Sequence, residues 1–369
     1  MKKILLLVGN LILFCSFLYS DDTVQASLVE NDSVSFIFSG DIMGHSPQFQ
    51  AAYNPQTNRY DYNVCFQEVK PYIENADFAV ANLEVPIAGK PYSGYPNFSS
   101  PDALLDGLKY AGYDVLLTAN NHVLDKGKFG LERTIHQIDK RKMLHEGSYI
   151  DNFQRDSTYP LIIESKGLKI ALLNCTYGTN ARVVTFPNYV NYIDTLEILK
   201  DIQKANDSAV DFKIMILHWG TEYELQANDF QRNIAKFLVY HGINLIIGSH
   251  PHVVQNAETF YTKDSIAVPV FYSLGNSISN QRQLNTDGGI MLKIAIDVNT
   301  KTMKSASYLP VYVFKGILNG KYQYHLIPTT EYLSHPKVFN LTASDSTSLV
   351  LFDKLTRDRL SNVLIYKQQ

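Results

Sequence analysis

The chain has 369 residues, 45% of them hydrophobic, and its 33 basic and 36 acidic side chains give a net charge of −3. This length and apolar content suit one large α/β domain, or two modest ones, with an ample core. The balanced charge gives no basis for nucleic-acid binding, which normally requires a basic surface, so no nucleic-acid partner is expected. The 24 tyrosines and the 19% charged fraction fit an exported domain.

Residues 1–20 have the pattern of a bacterial secretory signal peptide. Two lysines precede an almost wholly apolar run, Ile4–Leu18, and an acidic pair follows it. The pattern predicts a periplasmic or cell-surface protein, with an uncleaved membrane anchor as the alternative. Phe14 precedes Cys15, where lipoprotein signals have a small residue, and this disfavours a lipid anchor. No later stretch reaches the ~20 apolar residues that span a bilayer, so no further transmembrane span is expected.

Strand-like apolar runs alternate with amphipathic helical patterns from about residue 30 to residue 315. The main strand runs are Ser33–Ser39, Phe78–Ala81, Tyr113–Thr118, Lys169–Asn174, Phe212–Leu217, Leu245–Ile247, Val268–Ser273, Gly289–Asp297 and Ser307–Phe314. The clearest helical patterns between them are Phe129–Met143, Tyr192–Asn206 and Asp229–Tyr240. Alternation at this spacing predicts α/β layering.

Three other segments leave alternatives open. Pro86–Ser100 is rich in Gly, Pro, Tyr and Ser and predicts a long loop, either a functional lid or a plain surface excursion. Residues 316–369 are predicted to be a C-terminal extension whose helix, marked by apolar residues such as Leu351, packs back onto the domain. Cys65 and Cys175 could form one disulfide, but their spacing does not suit thiolate metal ligation.

Polar side chains of metal-binding type follow several of the strand runs. They are Asp41, Glu84, Asn121 with His122, His218, and His250 with His252. In open α/β sheets ligands bind beyond the carboxyl ends of the strands, so these side chains are expected to share one cleft. Oxygen and imidazole ligands without thiolates suit Zn, Mn or Fe. An acidic side chain among them can bridge two ions, an arrangement that promotes phosphoester hydrolysis.

Six ordered motifs in residues 33–297 resemble one known family. They are Gly40-Asp41, Asn82-Leu83-Glu84, Asn120-Asn121-His122 with Asp125, His218-Trp219-Gly220, Gly248-Ser249-His250-Pro251-His252 and Tyr272-Ser273-Leu274-Gly275-Asn276. The pattern resembles the CapA branch, associated with capsular poly-γ-glutamate, of the calcineurin-like metallophosphatases. The resemblance implies an α/β layered sandwich over residues 30–315, with two sheets flanked by helices and a C-terminal helix packed on it.

The resemblance also implies a role for each motif residue and one or two divalent ions, Mn, Zn or Fe. The implied roles are Asp41 and His252 at a first metal, Glu84 as the bridging carboxylate, Asn121, His218 and His250 at a second metal, His122 as proton donor and transition-state stabiliser, and Asp125 as the group that orients His122.

Two departures from the superfamily pattern affect the first metal. Met43 stands where these phosphatases usually have His, so His45 could substitute as a ligand or could be a rim residue. Glu84 is one methylene longer than the usual Asp. A single bound ion or weak occupancy would follow from these changes. Arg182 lies after another strand end and could hold a substrate anion.

Three hypotheses follow from these residues and the resemblance. The first is an exported metal-dependent hydrolase, phosphoesterase-like, acting on an anionic small molecule or polymer. The second is a non-catalytic or accessory protein that works with cell-envelope machinery in the assembly or export of an anionic capsular polymer. The third is a structural ion, which is disfavoured because closed structural sites use four ligands and this chain offers more.

Overall fold

The computed structural model of the protein describes residues 32–318 and 320–365. The helices are α1 Ser46–Ala52, α2 Asn63–Phe66, α3 Lys70–Glu74, α4 Ala103–Ala111, α5 Gly127–Lys140, α6 Asn152–Thr158, α7 Thr195–Asp207, α8 Asp229–Tyr240, α9 Thr329–Ser334, α10 Pro336–Phe339 and α11 Ala343–Arg359. The predicted signal peptide lies outside the described residues. Within them, no helix is long and apolar enough to cross a membrane.

Most of the strands belong to two large sheets. The strands are β1 Ser33–Ile42, β2 Tyr53–Asn54, β3 Arg59–Tyr60, β4 Phe78–Leu83, β5 Val115–Leu117, β6 Leu144–Glu146, β7 Ser148–Tyr149, β8 Leu161–Ser165, β9 Leu168–Thr176, β10 Tyr189–Val190, β11 Phe212–His218, β12 Leu245–Ser249, β13 Ala257–Tyr261, β14 Ala267–Phe271, β15 Asn276–Ile278, β16 Gly288–Asp297, β17 Met303–Leu318, β18 Lys321–Pro328 and β19 Leu364–Ile365.

The first sheet has nine strands in the order β18-β17-β16-β1-β4-β5-β6, with β15 beside β1 and β19 beside β17. The second has six strands in the order β13-β14-β12-β11-β9-β8. Strands β1, β4, β5 and β6 run parallel in the first sheet, as do β9, β11, β12 and β14 in the second. The carboxyl ends of each parallel set therefore meet at one edge of its sheet.

The two sheets pack face to face because their strands alternate between two buried faces. In β1, Phe36 and Phe38 point between the sheets, where they join Ile214 and Ile247 of the second sheet. Ile37 points the other way, into a second core formed with the helices on the outer face of the first sheet. Helices α7 and α8 cover the outer face of the second sheet. The result is a sandwich of two sheets between helical layers, as predicted.

The C-terminal helix packs on the first sheet, but with a different face from the predicted one. Leu349 and Phe352 are buried against the aromatic residues of β17, whereas Leu351 is exposed. The spacing of apolar residues predicted the wrong buried face because the face that is buried also carries polar groups. One of them, Asp353, accepts a hydrogen bond from Thr329 Oγ1. Strand β18 pairs with β17 across the predicted start of the C-terminal extension, so the first sheet continues past residue 315.

Candidate metal centre

The polar side chains at the strand ends are brought together by strand register. In the first sheet Asp41 of β1 lies opposite Asn82 of β4 and Asn276 of β15, and Glu84 follows β4. The loop after β5 carries Asn121 and His122 to the same edge. In the second sheet His218, the last residue of β11, lies opposite Ser249 of β12, and His250 and His252 follow. Most of these side chains are at least 95% buried.

Glycines in β1 and β12 allow both strands to approach closely the segment that joins β14 to β15. A Cβ on Gly40 would lie 1.9 Å from the carbonyl oxygen of Gly275, and one on Gly248 would lie 1.9 Å from that of Tyr272. Asp41 N donates to Gly275 O at 3.0 Å, which fixes the backbone beside the Asp41 carboxylate. Gly40 and Gly248 are therefore required for close packing of the backbone, and this packing places the motif residues that follow them in the site.

Two groups of side chains are close enough to hold metal ions, and they share one carboxylate. Glu84, His218 and His250 form the first group, and Asp41, Glu84 and His252 the second, with the ligand atoms of each group within 4.8 Å of one another. The Oε1 atom of Glu84 lies 3.4 Å from His218 Nε2 and 3.8 Å from His252 Nε2. Glu84 therefore occupies the position of a bridging ligand between two ion sites.

Neighbouring polar groups hold the imidazoles in orientations suited to ligation. His252 Nδ1 lies 3.1 Å from both Asp41 Oδ2 and Asn276 Oδ1, which leaves Nε2 on the side of Glu84. His218 Nδ1 lies 3.1 Å from Ser249 Oγ, while its Nε2 lies 3.0 Å from Asn121 Oδ1. A second hydrogen-bonding layer of this kind fixes the tautomer and ring orientation of metal-binding histidines.

The protonation states of the protein without ions also suit cation binding. Burial, reinforced by the neighbouring imidazoles, lowers the pKa of His250 to about 2 and that of His218 well below its usual range. Both rings are therefore neutral and have a lone pair to offer. Burial and then the adjacent Asp41 raise the pKa of Glu84 well above its usual value. A cation at this position would stabilise the Glu84 carboxylate against its burial and against repulsion by Asp41.

Unpartnered polar atoms at the centre test whether the site fits a metal. Both carboxylate oxygens of Glu84, which is fully buried, lack a hydrogen-bond partner, and so does His250 Nδ1. Buried polar atoms are otherwise almost always paired, because each unpaired one costs about 1–3 kcal/mol. All three atoms are of metal-ligand types and belong to two residues of one candidate ligand group, so they fit one or two divalent ions.

The backbone at two of the histidines is held in an unusual conformation. His250 and His252 have φ values of 100° and 58°, in the left-handed region that residues with a side chain rarely adopt. Hydrogen bonds hold this loop: Tyr223 N donates to Pro251 O at 2.8 Å, and Asn276 Nδ2 donates to His252 O at 3.2 Å. Strain of this kind clusters at functional sites, where the surrounding structure maintains it.

His122 and Asp125 form the hydrogen-bonded pair that the resemblance implies. His122 Nδ1 lies 2.8 Å from Asp125 Oδ2, and the backbone N–H of Phe98 donates to the same oxygen at 2.8 Å. The Phe98 ring lies edge-on to His122, with 4.7 Å between the ring centroids. The long loop between Pro86 and Ser100 thus buttresses His122. Arg182 Nε lies 4.0 Å from Asp125 Oδ1, so its guanidinium approaches this pair rather than the two ligand groups.

An open cleft of about 290 Å³ leads to the buried ligands. Its lining residues are Met43, His45, Tyr95, His122, Glu222, Tyr223, His252, Asn280 and Gln281. His45 lies at the rim of this cleft and belongs to neither group of candidate ligands. Its Nδ1 lies 3.1 Å from Gln48 Oε1. Burial is the main reason that its pKa falls to about 4.

The structure thus brings all the predicted ligands together and adds residues that the motifs did not single out. Tyr177, the residue after β9, lies with its ring centroid 4.6 Å from that of His250. Its position directly after a parallel strand is the signal that could have identified it. Asn82 Nδ2 donates to Asp41 Oδ1 at 2.8 Å, so Asn82 orients a candidate ligand rather than merely satisfying its own loop. Cys65 and Cys175 are buried and free.

Comparison with known proteins agrees with this geometry. The model of the bacterial capsule synthesis protein family PGA_cap matches residues 35–281. The capsule biosynthesis protein CapA of Bacillus anthracis is 26% identical over 338 residues, which cover 88% of this chain and 76% of that protein. Among solved structures, the NAD nucleotidase of Haemophilus influenzae has a TM-score of 0.50 at 11% identity and covers 91% of this chain and 64% of its own.

A calcineurin-like phosphoesterase of Bacillus subtilis, YfkN, also matches, with a TM-score of 0.40 and 14% identity over 89% of this chain and 98% of its own. The predicted fold class, an α/β sandwich of two sheets between helical layers, is confirmed by the sheet topology and by the match to the NAD nucleotidase structure. The family match covers two thirds of the sequence, including all six motifs. The chain therefore belongs to the bacterial capsule synthesis protein family PGA_cap.

Proposed function

We propose that this protein is a metal-dependent phosphoesterase that acts in the cell envelope. The observation that carries the proposal is the position of Glu84, whose unpartnered carboxylate is shared by two groups of imidazole and acidic ligands. Asp41 and His252 would hold one ion, and Asn121, His218 and His250 the other. Such ions, when bound, lower the pKa of a water molecule and stabilise charge on phosphoryl oxygens.

The identity of the ions follows from the donor set. The ligands are carboxylate, amide and imidazole groups, and both described cysteines are buried elsewhere in the fold. Nitrogen and oxygen donors of this kind select Mn, Zn or Fe rather than a thiolate-bound metal. The proposal is therefore one or two ions from this group.

His122 and Asp125 would carry the proton transfer. Asp125 accepts the hydrogen bond from His122 Nδ1, which leaves Nε2 as the nitrogen that can deliver a proton to a leaving group. The hydrogen bond from Phe98 N–H holds the Asp125 carboxylate in place. This arrangement fixes the tautomer of His122, as second-layer carboxylates do in other catalytic sites.

Hydrolysis of an aryl phosphate by the purified protein tests the proposal directly. With Mn²⁺ or Zn²⁺ added, the wild-type chain should turn over p-nitrophenyl phosphate, and His122→Ala should reduce kcat by about 10²–10⁴-fold. The matched control is His241→Ala, because His241 is a half-buried residue at the end of α8 that belongs to neither ligand group. The proposal fails if no divalent metal supports turnover.

A second candidate function is assistance in polymer assembly without turnover. Met43 favours it, because this buried thioether stands two residues after Asp41, where related phosphatases have a histidine ligand. Poly-γ-glutamate, or a similar anionic capsular polymer, would then be the material handled, together with envelope polymer-synthesis machinery. Deletion of the gene should lower surface polymer. Rescue by an Asp41→Ala, His250→Ala double variant would favour the non-catalytic role, and failure to rescue would favour catalysis.

Export is part of the proposal and rests on the sequence alone. Residues 1–20 combine a basic start with an apolar run, as secretory signals do. Family membership in capsule synthesis is consistent with a periplasmic or cell-surface location. Cell fractionation tests this directly: the protein should leave the cytoplasm with residues 1–20 present and stay there when they are deleted.

A further inference from the structure

The orientation of the Asn280 side chain is fixed by two donors. Lys315 Nζ donates to Asn280 Oδ1 at 3.0 Å, and the Tyr324 hydroxyl donates to the same atom at 2.6 Å. An ammonium group can only donate, so the atom facing it must be the amide oxygen and not the nitrogen. The amide nitrogen of Asn280 is then the group left to donate elsewhere, and Asn280 lines the cleft.

Two cations near this amide lack a carboxylate partner among the described residues: Lys315 contacts the amide, and Arg282 follows Asn280 by two residues. Neither Lys315 nor Arg282 forms an ion pair with any acidic side chain of residues 32–318 and 320–365. The Arg282 guanidinium donates to the carbonyl oxygen of Gln281 at 2.8 Å. Burial, followed by the like charge of Arg282, lowers the pKa of Lys315. Two cations in one region without a carboxylate partner attract an anion.

Asn280 connects this pair of cations to the cleft that leads to the candidate metal centre. Asn280 N lies 3.3 Å from His45 Nδ1, and His45 lines the same cleft as His122 and His252. The pair comes from the β17 strand and the loop after β15, so both supports belong to the first sheet. Among acidic groups nearby, Glu222 lines the cleft and Asp287 raises the pKa of Arg282, but neither forms an ion pair with the two cations.

We infer that Asn280, Arg282 and Lys315 form a subsite for a second anionic group of the substrate, distinct from the group that reacts at the metal centre. The inference deepens the proposed function and rests on it. The substrate class that it assigns is a molecule with at least two separated anionic groups, either carboxylates or phosphates. An amide donor flanked by guanidinium and ammonium groups suits both, because both present several acceptor oxygens.

Binding measurements on the full chain with Mn²⁺ test the subsite independently of turnover. The probes are pentaglutamate, an alkane-diyl bisphosphate and inorganic phosphate, each titrated by calorimetry into wild type, Lys315→Gln and Arg282→Gln. Each substitution should weaken the binding of a two-anion probe about tenfold, the size expected for a charge-assisted contact. Phosphate binding should stay within twofold. The matched control is Lys304→Gln, an exposed lysine at the far end of β17.

The outcomes separate the two sources of the anion and the two proposals. A Lys315-dependent loss for pentaglutamate alone assigns carboxylates, and one for the bisphosphate alone assigns phosphates. The subsite is refuted if wild type binds neither probe, if Lys304→Gln causes the same loss, or if phosphate binding falls in parallel. Turnover of p-nitrophenyl phosphate is measured beside these titrations. Lys315-dependent binding without any turnover would refute the proposed phosphoesterase function and still support the anionic subsite.

Discussion

Replacement of Glu84 by glutamine should change the stability of the protein in opposite directions with and without metal. The Glu84 side chain is 0% exposed, neither of its oxygens has a hydrogen-bond partner, and Asp41 lies beside it. In the absence of a cation, this carboxyl group opposes folding because its burial is uncompensated. In the presence of a cation, the same group contributes a ligand to both candidate ion sites.

The size of the effect follows from these contacts. Removal of the buried Glu84 charge should stabilise the metal-free protein by about 1–2 kcal/mol. This is the lower part of the usual cost of an unsatisfied buried polar group, because the raised pKa of Glu84 already lets the carboxyl group take up a proton. A ligand present at 100 times its Kd stabilises the wild-type protein by about 2.7 kcal/mol. The Glu84→Gln variant should lose most of that gain. The order of the two stabilities should therefore reverse when metal is added.

Thermal unfolding with and without Mn²⁺, together with elemental analysis for bound metal, measures both effects. Each kcal/mol should shift Tm by about 2–4 °C. Glu146→Gln is the matched control, because Glu146 is also buried with two unpartnered oxygens but lies in neither ligand group. It should stabilise the metal-free protein without changing the response to Mn²⁺. If Glu84→Gln responds to Mn²⁺ as wild type does, the bridging role of Glu84 is refuted.

Three further changes have expected outcomes. Asp125→Asn should lower kcat at least tenfold while bound metal is unchanged, because it weakens the hydrogen bond to His122 and Asp125 belongs to neither candidate ligand group. Arg359→Ala should weaken Mn²⁺ binding about tenfold, because this guanidinium donates at 2.9 Å to a carbonyl two residues after the candidate ligand His252. Asp77→Asn should destabilise the protein near neutral pH. Burial raises the pKa of Asp77, but hydrogen bonds from Lys166 and Ser35 outweigh burial, so the pKa lies below its usual value.

The direction of the Asp77 pKa shift determines the pH range in which Asp77 stabilises the protein. A lowered folded-state pKa gives stability that is fully present above the unfolded-state value of about 3.9 and is lost as pH falls through the folded-state value. Urea unfolding across acidic pH should show the wild-type advantage over Asp77→Asn disappearing there. A wild-type advantage that persists in strong acid would contradict the ionic origin of the Asp77 effect.

The control for the Arg359 prediction is Arg357→Ala, because Arg357 is on the same helix but is paired with Asp353. This variant should leave metal binding unchanged, and an equal loss of binding would contradict the role given to the Arg359 contact.

The strand ends could be predicted from the sequence because both signals are local. A short apolar run followed by Gly40-Asp41, or by Gly248 and two histidines, marks a strand and its polar end within ten residues. Parallel pairing then brings those ends to one edge, and the motif order supplied the family. The prediction that Glu84 and the histidines converge needed no knowledge of side-chain packing.

The parts that the sequence did not reveal depend on contacts between distant residues. The Asn280 amide is oriented by Lys315, 35 residues away, and Asp125 is held by the backbone of Phe98, 27 residues before it. Neither contact has a local signature. The buried face of α11 was missed for a related reason: the buried Asp353 is satisfied partly by Thr329 of another helix, which donates to it.

The hairpin of β17 and β18 determines where this chain can be shortened. Truncation at residue 315 would remove β18 and with it the hydrogen-bonding partners of Val311 to Lys315. An uncovered, partly apolar strand edge is a template for intermolecular pairing, so the shortened protein should aggregate. A soluble fragment would need to retain at least residues up to Pro328, even though the family match ends at residue 281.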